Sequence, residues 1–373
     1  MAEFDFKVFH DIDSVPILCS HEGTNPFTNA RWLRTFEYLC RRNRVDYSYL
    51  VAFSGEGLPS AVLPMYVTDS ESGFDTVDSV LFGRFEGAAH RVGISALPSY
   101  KVGVPYSPSD TLLQVGNGDG MAGPIMDEAA RIAFEEGGSL YLSRTPRGGV
   151  IERSLKGSVA ITCPPPTYLR IRWGSMDEYA NWLGERGLMK GKKVRWEIRQ
   201  PERRGTRIEV IDTLEGFRKA ADDFARLSTK IFNRLGSRPS PFDEGFFVTL
   251  RHNMGNRVKA YVARKDGEIT AHIIVMKSPG SWAVQFGGND QEKTHRSLAW
   301  INVVFYRPMG EAIGSGVRLM EYGTRSYDYK LRRGCEMMDV RGQLVVPGIL
   351  KMRVYSSYSV LANFLLSRKY GLR

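Results

Sequence analysis

Metal ligands and thiols are scarce in this chain of 373 residues, which holds four cysteines and six histidines. Cys19, Cys40, Cys163 and Cys335 lie far apart with no CxxC pair, which argues against a zinc ribbon or a disulfide scaffold and fits a reducing compartment. His10, His21, His90, His252, His272 and His295 show no ligand spacing, so no metal is expected; His272, inside an apolar strand, reads as a hydrogen-bonded core residue. Apolar runs such as Ile273 to Met276 fall far short of the ~20 residues that cross a bilayer, so no membrane insertion is expected. The acidic start, MAEFDFKVFHDID, has no signal-peptide core. GxSxG, HExxH and Walker loops are also missing. Hydrophobic residues at 42% and charged residues at 25% exclude a disordered chain or a coiled coil. These features describe a soluble cytoplasmic protein with material for two domains.

The charge is unevenly placed. Residues 1–165 carry 14 Lys/Arg against 20 Asp/Glu, whereas residues 166–373 carry 37 against 21. A basic half joined to an acidic half points to a phosphate-rich partner on one side. The excess peaks between Arg186 and Arg207, where nine cations face only Glu197 and Glu202. Written on a helix, Lys192, Arg195 and Arg199 share one face with Trp196 beside them, a surface able to follow a polyphosphate or an RNA backbone.

Patterning gives a mixed α/β protein. Arg31 to Arg42 has helical apolar spacing, and Tyr47 to Phe53 with Ser60 to Val67 form a hairpin across Gly55-Glu56-Gly57. A strand at Leu112 to Val115, a helix at Met126 to Glu136 and a strand at Leu140 to Ser143 follow. The second half repeats this order. Helical stretches (Met176 to Leu183, the basic run, Leu214 to Phe232) surround a strand at Arg207 to Ile211. A hairpin follows (Val258 to Arg264, Ile269 to Met276), then a strand (Trp282 to Phe286), a helix (Ser297 to Ser315) and a strand (Leu319 to Tyr322). Two copies of one α/β unit are expected, as domains 1–163 and 164–373. The hinge lies near Cys163-Pro164-Pro165-Pro166, and the C-terminal tail is free to pack back on the first domain.

Two loops could carry chemistry. Gly118-Asp119-Gly120-Met121-Ala122-Gly123 is a GxGxxG between a strand and a helix. No acid ends the next strand, Leu142-Ser143-Arg144, so a dinucleotide is not expected. The second, Glu321 to Gly334, follows a strand with a polar, aromatic stretch ending in Lys-x-x-Arg-Gly, where Lys330 could steady an oxyanion or hold a phosphate.

The run from Gln285 to Gly334 carries Gly287-Gly288, Glu311-Ala312-Ile313 with Gly316, Glu321 with Gly323, and Tyr329-Lys330 with Gly334. In these motifs the chain resembles the Fem-type (FemABX-like) branch of the GNAT acyltransferase superfamily. Asp177-Glu178-Tyr179 ahead of a basic helix is similar to that branch too, as are Asn25-Pro26-Phe27 with Trp32, and Val104-Pro105-Tyr106-Ser107-Pro108. The resemblance implies tandem GNAT-like domains, each a mixed, mostly antiparallel sheet flanked by helices, and transfer of an acyl group to an amine. Fem-type members take that group from aminoacyl-tRNA, and many GNAT relatives take it from acyl-CoA.

The stretch Gly288-Asn289-Asp290-Gln291-Glu292-Lys293 lacks the R/Q-x-x-G-x-G/A pattern of the CoA branch and carries two acids. Aminoacyl-tRNA is therefore the expected donor, with no resident cofactor and CoA less favoured. Lys330 takes the electrostatic role, and Glu321 and Asp328 are candidates for accepting the amine proton. Lys190, Lys192, Lys193, Arg195, Arg199, Arg203 and Arg204 would hold tRNA phosphates. Tyr106, Ser107, Tyr329 and Arg333 would contact the acceptor, an amine of a small metabolite, peptide or cell-wall precursor, between the domains. A CoA-dependent N-acyltransferase and a non-catalytic RNA-binding module remain the alternatives.

Overall fold

A computed structural model describes residues 4–15, 25–72, 74–83, 86–107, 113–114, 120–155, 157–234, 239–348 and 351–360. The chain separates into two compact units. The first comprises Met1–Glu22, Phe36–Pro165 and Met338–Arg373, and the second comprises Gly23–Thr35 and Pro166–Met337. The main crossing falls within the expected proline run. Compared with the 1–163 and 164–373 division, residues 23–35 group with the second unit and the C-terminal stretch groups with the first.

In the first unit, β1 (Asp5–Phe9), β2 (Tyr47–Phe53), β3 (Pro59–Thr68), β4 (Ser99–Val102), β6 (Ser139–Pro146), β7 (Val159–Ile161) and β15 (Val340–Val345) form a sheet. Its order is β1-β2-β3-β4-β6-β15-β7, and the short β5 (Leu113–Gln114) pairs with β3. Every pairing is antiparallel except β4 with β6. A parallel pair needs a crossover, and α4 (Ala122–Glu135) supplies it. Its apolar stripe of Ile125, Met126, Ala129 and Ala133 packs on Leu50, Leu63, Leu140 and Leu142. This helix starts four residues before Met126, with Met121 at its N-cap after Gly120, which adopts φ +103; Gly118 and Asp119 of the glycine motif lie outside the described residues, as do Leu112 and Val115 of the expected strand. The unit also holds α2 (Val77–Phe82), α3 (Glu86–Arg91) and α5 (Val150–Ser154), and α1 (Ala30–Arg42) contributes its residues from Phe36 onward, its first turns belonging to the second unit.

The second unit begins with β8 (Thr167–Arg170), α6 (Met176–Glu185), α7 (Gly191–Arg203), β9 (Arg207–Ile211), α8 (Leu214–Arg234) and α9 (Glu244–Met254). The hairpin β10 (Val258–Lys265) and β11 (Glu268–Ser278), then β12 (Ser281–Asn289), build the sheet centre. Next comes α10 (Gln291–Thr294), and then α11 (Ala299–Ile301), a π-helical turn at Asn302–Tyr306 and α12 (Arg307–Gly314), which run on without a break where the Ser297 to Ser315 helix was expected, with the π-turn in its middle as the departure. Finally, β13 (Leu319–Glu321), α13 (Tyr327–Leu331) and β14 (Glu336–Met337) give the order β14-β8-β13-β12-β11-β10-β9. Both faces of this sheet are covered, so β11 is buried at nearly every position. Tyr261, Ile273, Val275, Trp282 and Val284 pack with Tyr179, Leu183, Val303 and Phe305. On the other face His272, fully buried, stacks on Phe224 at 4.5 Å and is held neutral by burial, its pKa pushed down to about 3. It is a core residue, packed against the rings of Phe224 and Phe247. Gly288 has a packing reason: a Cβ there would lie 2.5 Å from the backbone of Leu227 and Ser228, so glycine lets α8 approach the sheet.

Candidate active site

β12 and β13 are parallel, joined in register from Ser281↔Leu319 to Ala283↔Glu321. There β13 ends while β12 runs on to Asn289, so the pair opens into a fork with Glu321 at its apex. Met320 and Tyr322 point into the apolar core, and the alternation of a strand sends Glu321 to the opposite face. Its carboxylate is 7% exposed, and Oε2 has no hydrogen-bond partner. Burial alone raises its pKa to about 7, with no charged neighbour contributing. A carboxyl at the end of a strand, poised near neutrality and with Oε2 unpartnered among the described residues, is suited to taking a proton from an incoming group.

Lys330 sits on α13, the short helix that turns back over the tip of β13. Its Nζ donates to the carbonyls of Tyr322 and of Gly323 (3.0 Å), the two residues that follow Glu321. Thr167 Oγ1 donates to the same two carbonyls at 3.1 Å, which fixes this end of the strand. Burial lowers the Lys330 pKa to about 8. Two of its three N–H donors are thus committed to the protein, on the backbone of the two residues that follow the apex. Across the fork stands Gln285, half-buried two residues past the last pair; a Cβ on Gly323 would lie 3.6 Å from its Oε1. Sequence reading passed over Gln285. The available signal was a lone amide inside the apolar strand Trp282 to Phe286.

The other expected residues are placed differently. Asp328 is exposed in the first turn of α13. Arg333 is 2% exposed and wholly engaged within the core. It donates to Glu197 Oε2 (2.5 Å), the Tyr306 hydroxyl (3.0 Å) and the Tyr329 carbonyl (3.0 Å), and it stacks 3.6 Å from the Tyr329 ring. Glu197 also accepts from the Tyr306 hydroxyl, and Tyr179 donates to the Arg333 carbonyl. This buried network pins α7, the π-turn and the α13 loop together, so Arg333 has a structural part in place of the expected acceptor contact. Tyr329 is half-exposed above Arg333, its hydroxyl pushed up to about 12 by burial.

On α7, Val194, Glu197, Gln200 and Pro201 face inward. Arg195 turns to α6, donating to Asp177 (2.7 Å) and Asn181 (2.8 Å), and so leaves the face it was expected to share with Lys192 and Arg199. The exposed line is instead Lys192, Trp196, Arg199 and Arg203, with Lys190, Lys193 and Arg204 also exposed nearby. Past β12, Asp290 caps α10: its carboxylate accepts from Lys293 N and, at 2.6 Å, from Lys230 Nζ, a bond that holds its pKa below the usual range. An open hollow of about 610 Å³ beside it is lined by Lys230, Arg234, Asn289, Gln291, Glu292 and His295.

In the first unit, Tyr106 adopts φ +67 and is partly buried, and Ser107 is buried. Both lie where β4 and β6 part company: pairing ends at Val102↔Leu142, and Arg144 Nη1 reaches over to the Ser107 carbonyl at 2.8 Å. Tyr106, Tyr66, Phe74, Tyr141, Lys101 and Arg144 line a cavity of about 120 Å³ there. Among the described residues, no group of three His, Cys, Asp or Glu could hold a metal ion, and no helix is long and apolar enough to cross a membrane.

Residues 190–331 match the acetyltransferase (GNAT) domain family. No curated protein matches the chain. Among solved structures, the chain is similar to FemX (12% identity, TM-score 0.55, 94% of this chain and 100% of that one). It is also similar to the C-terminal domain of a lysylphosphatidylglycerol synthetase from Agrobacterium fabrum (13%, 0.54, 88% and 92%). A third similar structure is L-PGS from Bacillus licheniformis (10%, 0.50, 91% and 99%). At these identities the likeness is one of fold: mixed α/β, with two sheets flanked by helices.

Proposed function

Starting from the acetyltransferase (GNAT) domain of the second unit, we propose that this protein forms amide bonds. It transfers an aminoacyl group from aminoacyl-tRNA to an amine of a small metabolite, peptide or cell-wall precursor in the cytoplasm. The observation that carries the chemistry is Glu321, an unpartnered carboxyl at the apex of the fork with a pKa near 7. The acceptor amine loses its proton to Glu321 and attacks the ester carbonyl. The C–N bond forms, the C–O bond breaks, and the proton taken up by Glu321 passes to the ribose oxygen, which departs as a hydroxyl. An ester is already activated, so positioning and charge stabilisation carry most of the rate. Lys330 lends positive charge to the developing oxyanion, and Gln285 orients the acyl carbonyl from the other jaw.

The choice of donor leans on Asp290. The loop after β12 is where a CoA pyrophosphate would meet backbone N–H groups, and here a carboxylate already caps that turn. The exposed cations of α7 favour a polynucleotide donor. A neighbour named lysylphosphatidylglycerol synthetase accords with aminoacyl transfer. The name of the matched domain favours acyl-CoA as the rival donor. Incubation with total aminoacylated tRNA or with acetyl-CoA, in the presence of a cell extract and followed by mass, separates the two. Attachment of an amino-acid residue is expected, and acetylation alone would overturn the proposal.

A further inference from the structure

Trp196 is placed unlike the five other tryptophans, all buried or half-buried: it is 49% exposed and meets no ring and no cation of the protein among the described residues. It lies on the outer face of α7 at i+4 from Lys192, with Arg199 at i+3 and Arg203 at i+7 beyond it. These three cations are exposed and form no ion pair among the described residues, whereas Arg195 is taken by Asp177 and Glu197 is buried under Arg333. Of the two acids in the run, Glu197 is thus withdrawn and Glu202 alone stays exposed, beside Arg203, so the aromatic ring is left among an excess of cations. At ~1.5 Å rise per residue, Lys192 to Arg203 spans about 16 Å, enough for a few nucleotides of one strand. A half-exposed indole interleaved with unpaired cations suits a base on its ring and phosphates on either side. The same face offers one ring and no further exposed apolar side chain, since Val194 is buried and Ile198 packs on the core, which leaves too little apolar area to favour a lipid surface.

We infer that α7 reads an unpaired RNA strand, with one base stacked on Trp196 and the flanking phosphates held by Lys192, Arg199 and Arg203. The inference rests on the proposed RNA-linked donor and adds that the single-stranded part of that donor docks here, whatever its sequence. The test measures binding of an unstructured RNA octamer, the same octamer with abasic sites, an RNA duplex and phosphatidylglycerol vesicles, using the full chain and its Trp196→Ala, Trp196→Phe and Lys192→Gln/Arg199→Gln/Arg203→Gln variants. Trp196→Ala is expected to weaken octamer binding roughly 5- to 100-fold with an unchanged salt slope, and to leave abasic binding as it was. Trp196→Phe should recover part of the loss. The triple variant should flatten the salt slope by about 2. Equal binding of octamer and abasic strand, preference for the duplex or the vesicles, or indifference to Trp196→Ala would each overturn the inference. If octamer binding behaves as expected but no aminoacyl transfer is found, the proposed reaction fails and the docking surface stands. If transfer from charged tRNA proceeds with kcat/KM untouched by Trp196→Ala, the surface fails and the reaction stands.

Discussion

Each unit builds one parallel strand pair that opens into a fork, and the two forks are furnished in opposite ways. In the first unit the fork is clasped. Arg144, just past the last pair on one jaw, donates to the Ser107 carbonyl on the other, and Lys101 lies between the rings of Tyr66 (5.9 Å) and Tyr141 (5.5 Å) with its ammonium on the Asp75 carbonyl. In the second unit the apex holds an acid with no partner, and no side-chain hydrogen bond joins Gln285 to the facing jaw among the described residues. Topology fixes where such an opening occurs, because a parallel pair needs a crossover and its strands end independently. The side chains at the opening decide whether it is filled or left reactive.

The sharpest way to break this contrast is Glu321→Gln, which should lower transfer by about 10²- to 10⁴-fold, read as single-turnover rate. The same variant tests the cost of the unpartnered acid. With its pKa raised to about 7, Glu321 favours the folded state most when protonated, below the ordinary value of 4.5, and that contribution is lost as pH rises through 7. Glu321→Gln should therefore stabilise the protein by up to about 3 kcal/mol at pH 8 and hardly at all at pH 4.5, measured by urea titration. Removing a partner from the buried Arg333–Glu197 pair should act oppositely: Arg333→Leu should cost about 3–5 kcal/mol of stability and leave a misassembled α7, visible in the same titration.

A pH–rate profile sharpens the contrast further. Glu321 must be deprotonated and Lys330 protonated, so the rate should rise with pH toward about 7 and fall above about 8, and Glu321→Gln should abolish the rising limb. Arg144→Met, which releases the clasp of the first fork, should leave both pH limbs of that profile in place. The smallest expected effect is Asp290→Ala, a loss of about 1 kcal/mol of stability from the missing cap, read by thermal unfolding.

The repeated order of helix, hairpin, strand, helix and strand was legible because apolar residues at periods of two and 3.6 mark half-covered elements, and turns such as Lys265-Asp266-Gly267-Glu268 punctuate them. Helices α2, α3 and α9 escaped notice, since the first two are six residues long and α9 shows little separation of its apolar and polar sides. Glu321 and Lys330 could be named together as candidates because both belong to one strand and the loop after it. Arg333 could not be told from Lys330 by pattern, because both are cations of the same short loop. What separates them is Glu197, 136 residues away. Arg195 was misread for the same reason: its partner Asp177 lies on another helix.

By itself the sequence determined the alternation of elements, the basic character of the second half and the absence of metal-ligand and nucleophile motifs, because these follow from local spacing and composition. Only the tertiary structure decided which charges are consumed by partners and which are left over. It also assigned residues 23–35 to the second unit and the C-terminal stretch to the first. Both depend on contacts between residues distant in the chain, and a buried charge acquires its role from whatever lies within hydrogen-bonding distance of it.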